Sequence, residues 1–100
     1  MIKHIVLLKF KEHAEGRLKP ENVAMLRREL EKLPGTIKII RGYEVGTNIN
    51  AGVDAYDLSI LAEFATKQDL DTYINHPDHQ RVVAILRRVR ESKIVVDYET

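Results

Sequence analysis

The chain contains no cysteine. Disulfides, thiolate catalysis and cysteine-bound zinc are therefore excluded. Net charge is nearly absent as well: 16 Lys and Arg face 15 Asp and Glu, for a balance of +1. Such a balance argues against a dedicated nucleic-acid or anionic-membrane surface. No apolar run approaches the roughly 20 residues that span a bilayer. The opening Met1-Ile2-Lys3-His4-Ile5-Val6-Leu7-Leu8-Lys9 has too short an apolar core, and no small-residue cleavage site, for a secretory signal. Internal repeats, linkers and low-complexity stretches are missing. So are phosphate-binding glycine loops, GxSxG and HExxH. These absences leave a cytoplasmic protein that touches neither nucleic acid nor membrane as the expectation.

What is present fits one domain. One hundred residues, 44% apolar and 31% charged, describe an ordinary globular chain with a modest core. Ile2 to Phe10 is rich in β-branched and large apolar residues and reads as a strand. Lys11 to Lys19 reads as a charged loop. Pro20 starts a helix with Val23, Leu26, Leu30 and Leu33 on one stripe, and Pro34-Gly35 ends it. Ile37 to Asn48 reads as a second strand, with Gly42 and Gly46 as bulges or points of close approach. A turn through Gly52 leads to a third strand, Tyr56 to Phe64. Thr66 caps a helix that runs to about Ile74, and Pro77 starts another that runs to about Arg90. Lys93 to Tyr98 is the last strand.

The order β-α-β-β-α-(α)-β is the split βαβ pattern of ferredoxin-like α+β folds, with four antiparallel strands and helices on one face. The runs Ile5-Val6-Leu7-Leu8 and Ile94-Val95-Val96 are continuous rather than alternating, which calls for burial on both faces of the sheet. Helices cover only one. The same face of a second copy is the simplest cover for the other, giving a homodimer.

The densest chemistry lies in Tyr73-Ile74-Asn75-His76-Pro77-Asp78-His79. Pro77 breaks the helix before it and opens the next. His79 falls in the first turn of the new helix, in line with Val82, Val83 and Leu86. Tyr73 shares the inner stripe of the preceding helix with Leu70 and Ile74. Two proton-transferring groups thus point inward from adjoining helices. Burial and the helix N-terminus both disfavour an imidazolium at His79, while Asp78 favours it. A neutral imidazole can act as a general base, and Tyr73 can donate to a developing oxyanion. Together they suffice for proton abstraction next to a carbonyl, with no metal or organic cofactor. A purely structural pair, or a site that binds without catalysing, competes with this reading. His4 alternates with Val6, Leu8 and Phe10 on a face that meets the helices, where it is either a satisfied core histidine or a pocket group. His76 reads as a helix cap or surface residue, and His76 with His79 lacks the further ligands of a metal site. Arg81, Arg87, Arg88, Arg90 and Lys93 read as a solvated basic face.

Several segments in order, Ile2 to Lys11, Leu33-Pro34-Gly35, Tyr56-Asp57-Leu58, Tyr73 to His79 and Asp97-Tyr98, together resemble the stress-responsive dimeric α/β-barrel (Dabb) family. That resemblance implies a ferredoxin-like fold and a homodimer whose sheets close into a barrel. The family includes plant stress-induced proteins, a plant polyketide cyclase and many bacterial members of no assigned reaction. Carried over from the cyclase by position, Tyr73 and His79 become catalytic, and His4 joins them as a ligand-binding residue. Leu58 stands where the cyclase has a further pocket histidine. Val23 and Leu26 replace its wide aromatic lining. A long-tailed aromatic polyketide is therefore a poor fit, and a small carbonyl-containing or hydrophobic molecule a better one. A noncatalytic stress-related or ligand-binding protein is the main alternative. A monooxygenase or decarboxylase of the wider dimeric ferredoxin-like group is another.

Overall fold

The computed structural model describes all residues, 1–100. Its elements are β1 (Ile2–Phe10), β2 (His13–Ala14), β3 (Arg17–Leu18), α1 (Lys19–Glu31), α2 (Leu33–Thr36), β4 (Gly42–Thr47), β5 (Leu58–Phe64), α3 (Lys67–Asn75), α4 (Pro77–Val89) and β6 (Arg90–Glu99). β4, β5, β1 and β6 form one antiparallel sheet in that order. This is the ferredoxin-like arrangement.

Register decides which residues share a face, because side chains directly opposite one another project the same way. Val6 pairs with Ile60 and Val95, and His4 with Ala62 and Asp97. Val6, His4, Leu8 and Phe10 are buried beneath the helices, against Leu26, Leu30, Leu70, Tyr73, Val82, Leu86 and Val89. Ile5 pairs with Leu61 and Val96, and Leu7 with Ile94. These residues form the opposite, uncovered face, where Ile94 and Tyr98 are each 43% exposed and Val96 is 52% exposed.

Four local expectations change. The Lys11 to Lys19 segment is not all loop: β2 and β3 form a miniature hairpin. Its two turn residues, Glu15 and Gly16, both have positive φ (53° and 74°), as a tight primed turn requires. Fully buried Asn22 ties that hairpin to α1, donating from Nδ2 to the Ala14 carbonyl and accepting from Arg17 Nε. Pro34 does not end the first helix. α1 stops at Glu31, and Pro34 sits in the first turn of α2, where its missing N–H leaves nothing unpaired. The second strand begins at Gly42, not Ile37. Ile37 is buried, and its N–H closes the α2 turn on Leu33 O at 2.9 Å. Gly42 and Gly46 are regular ladder positions rather than bulges. They remain close-approach points, since a Cβ on Gly42 would lie 3.0 Å from Glu63 Oε1. The sheet's irregularity falls instead between Lys9 and Phe10, against β6.

The junction between α3 and α4 positions the site. Thr66 caps α3, its side chain accepting from Asp69 N–H at 3.1 Å. His76 caps α4 by accepting from Asp78 N–H through Nδ1, at 3.1 Å. A histidine does here what asparagine or aspartate usually does. His76→Ala should therefore lower stability by about 1 kcal/mol in denaturant unfolding. His76→Asn should leave it unchanged or raise it. Equal losses in both variants would mean that the cap contributes nothing.

Candidate functional site

Pro77 holds His76 extended, so α3 ends there and the Asp78 N–H, the helical partner of the Ile74 carbonyl, bonds to His76 Nδ1 instead. The Ile74 carbonyl is left to side chains. His79 Nδ1 lies 2.9 Å from it and Gln80 Nε2 lies 2.6 Å from it, both donating. A neutral ring that donates from Nδ1 keeps a lone pair on Nε2. The break in the helix thus selects the tautomer of His79.

The ring of Tyr73 lies at the centre of an aromatic cluster. Its centroid is 4.3 Å from that of His79, 5.1 Å from Phe64, 6.0 Å from His4 and 6.2 Å from Tyr43. Tyr73 is 1% exposed. Its hydroxyl lies 2.9 Å from the Tyr43 hydroxyl, and either can donate. With Tyr43 as donor, the Tyr73 proton is free for another acceptor. His4, also buried, meets Asp97 of β6 through Nδ1 at 2.5 Å.

A cavity of about 180 Å³ opens beside this cluster. Tyr73, His79, His4, Asp97 and Lys93 supply its polar wall. Leu30, Ile60, Val82, Leu86 and Val95 supply most of the apolar one. The volume is below the several hundred cubic ångströms of a pocket for a drug-sized ligand. It is close to the roughly 150 Å³ at which an apolar cavity accepts a benzene ring. Leu58, Val23 and Leu26 are core residues that do not line it.

Burial sets the protonation states. Desolvation lowers the pKa of His79 below the ordinary histidine value. The Ile74 carbonyl opposes that shift, and neighbouring His4, Lys93 and His76 add to it. The expected pull from Asp78 is not among the causes. Burial pushes Tyr73 up to about 12, with the Tyr43 hydrogen bond acting against it. Tyr43 is raised further, by burial and by Tyr73. At neutral pH the site therefore holds a neutral imidazole and two protonated phenols.

The structure brings together all three residues singled out from the sequence: His4, Tyr73 and His79. It adds Tyr43, Asp97 and Lys93. His76 and His79 do not converge, since each ring nitrogen in use is committed to backbone. No group of three or more His, Asp or Glu side chains is arranged to hold a metal ion. No helix is long and apolar enough to cross a membrane.

Comparison with known proteins places this architecture among relatives. The family model described as Stress responsive A/B Barrel Domain matches residues 2–100. An uncharacterized protein of Streptomyces coelicolor is 33% identical over 99 residues, covering 99% of each chain. A dimeric protein of unknown function with a ferredoxin-like fold, from Bacteroides fragilis, superposes with a TM-score of 0.83 at 33% identity, over 99% of this chain and 95% of its own. A hydroxynitrile lyase from Passiflora edulis shares the fold at 15% identity, with a TM-score of 0.80 over 97% of this chain and 90% of its own.

An NMR titration of the histidine rings should give His79 a midpoint below the ordinary value of about 6.5. The sign of the linked stability effect follows. Between the folded and unfolded pKa values the unfolded chain binds more protons at this position. The His79 contribution is thus complete above the unfolded value and is lost as pH falls through the folded one. His79→Asn should flatten the dependence of unfolding free energy on pH in that window. An ordinary midpoint, or an unchanged slope, would contradict the burial argument.

Proposed function

We propose a function for this chain, which belongs to the stress responsive A/B barrel domain family. It is a homodimer in which each subunit carries a pocket for a small carbonyl-containing or hydrophobic molecule. In that pocket His79 and Tyr73 move a proton at the carbon next to the carbonyl. The observation that carries this reading is the fixed His79 ring. Its Nδ1 is held by Ile74 O, so Nε2 is the free base, and its centroid lies 4.3 Å from that of a buried, protonated Tyr73.

The step is simple. Nε2 of His79 takes the proton from carbon, and the C–H electron pair becomes the C=C bond of an enolate. The carbonyl oxygen gains the charge, and the Tyr73 hydroxyl stabilises it by hydrogen bonding. Return of the proton to a different carbon completes an isomerisation; in an aldol cyclisation the enolate carbon first bonds to a second carbonyl carbon of the same ligand, the π pair of that carbonyl moves to its oxygen, and that oxygen takes the proton from His79. The largely apolar wall strengthens both interactions. The lowered His79 pKa keeps the base unprotonated at neutral pH. His4, braced by Asp97, contacts the ligand from β1. No cofactor is required for this chemistry.

The exposed sheet face supports the dimer. Ile5, Leu7, Ile94, Val96 and Tyr98 make an apolar field that no helix of the same chain covers. A large aliphatic or aromatic side chain is worth roughly 1.5–3 kcal/mol when fully buried. The similar Bacteroides fragilis protein is dimeric.

Acetophenone in D2O tests the chemistry. The protein should speed deuterium uptake at its methyl group above the buffer rate. His79→Asn and Tyr73→Phe should each remove about 100-fold of that acceleration. Uptake at the buffer rate by a protein that still binds the ketone would establish a noncatalytic binding protein instead. Sedimentation tests the assembly: a dimer at micromolar concentration, converted to monomer by Val96→Asp. A monomeric parent protein would remove the dimer.

A further inference from the structure

The pocket has a polarity along its length. Leu8 pairs with Lys93, Val6 with Val95 and His4 with Asp97, so Lys93, Val95 and Asp97 share the helix-facing side of β6. All three line the cavity. Lys93 and Asp97 lie four residues apart, about 13 Å along a strand. The two ends differ in charge balance. At one, the Asp97 carboxylate is already engaged by His4 at 2.5 Å. At the other, Lys93 is exposed in this chain and has no ion-pair partner.

The charged groups around Lys93 sharpen that difference. Burial lowers its pKa, and Arg90 and Arg87 lower it further. No carboxylate acts in the opposite direction. Its charge is also felt by His79, across the cavity. Its ammonium remains solvated, and with Arg87 and Arg90 beside it this end of the cavity favours an anion. The neighbouring wall of Val82, Val83, Leu86 and Val95 supplies none.

From this arrangement we infer that the ligand is a small monocarboxylate, its acid group paired with Lys93 and its apolar body lying along Val95 toward the His4–Asp97 pair. The inference rests on the pocket reading given above and names the substrate class. A carboxylate fits better than a phosphate, because one ammonium offers a single point charge and no arginine fork lines the cavity. Repulsion by Asp97 sets the direction of binding. A carbonyl or hydroxyl at the far end of the ligand then meets His4 and Tyr73 rather than Lys93.

Benzoate and its neutral analogue benzamide test this, with the ring signals of His79 followed by NMR and affinities checked by calorimetry. Benzoate should bind about tenfold more tightly than benzamide. Lys93→Met should abolish that preference while leaving benzamide binding intact, and Lys93→Arg should restore most of it. Equal affinities in the unaltered protein would overturn the carboxylate assignment and leave the pocket standing. A preference that survives Lys93→Met would overturn the role of Lys93. Failure of both molecules to perturb His79 would remove the pocket reading and this inference with it.

Discussion

The ring of Pro77 governs the geometry of the site. It holds His76 extended, at ψ 136°, which ends α3, and the Asp78 N–H that would pair the Ile74 carbonyl in a continuous helix bonds to His76 Nδ1 instead. His79 Nδ1 and Gln80 Nε2 turn back to satisfy that oxygen. The hydrogen bond does more than pair a polar atom: it fixes the tautomer and rotation of the imidazole. His76 holds the start of α4 in register by capping it. A continuous helix through this segment would pair the Ile74 carbonyl internally and leave His79 free to rotate.

Burial supplies the second half of the arrangement. It lowers the proton affinity of His79 and raises that of Tyr73. One group is thereby kept ready to accept a proton and the other to donate a hydrogen bond. The same packing makes every buried side-chain polar atom satisfied without a ligand. Good structural satisfaction and a poised site are compatible here because each ring uses only part of its hydrogen-bonding capacity. The imidazole spends Nδ1 and retains Nε2. Tyr73 and Tyr43 share one hydrogen bond between two hydroxyls, which leaves a proton over.

The helical half of the site was legible in the sequence, because its information is local. The Tyr73-to-His79 spacing, the break at Pro77 and the 3.6-residue stripe of Val82 and Leu86 sit within a few turns of one another. Alternation along Ile2 to Phe10 placed His4 on the helix-facing side, and the structure makes it both a pocket residue and a satisfied one. Tyr43, Asp97 and Lys93 were not legible in the same way. Each reaches the site through strand register, and His4 and Asp97 are 93 positions apart. Nothing local distinguishes Lys93 from the solvated arginines beside it. Ile37, Ile39 and Ile40 misled for a related reason: β-branched residues suit a strand, but here Ile37 is buried in the core and Ile39 and Ile40 pack against it outside any strand. The Glu15-Gly16 hairpin lacks the Asn-Gly or Asp-Gly signature of its turn type.

The sheet thus has two apolar faces with different tasks. One closes over the helices and leaves a small cavity at the α3–α4 junction. The other, Ile5, Leu7, Ile94, Val96 and Tyr98, has no cover within the chain. On the first face, Ile74 holds His79 by Nδ1, which leaves Nε2 as the free ring nitrogen. Long-range proton–nitrogen correlation NMR at neutral pH tests that arrangement directly, since it distinguishes protonated from unprotonated ring nitrogens. A proton on Nδ1 and a lone pair on Nε2 of His79 are expected. A proton on Nε2, with Nδ1 bare, would contradict the arrangement.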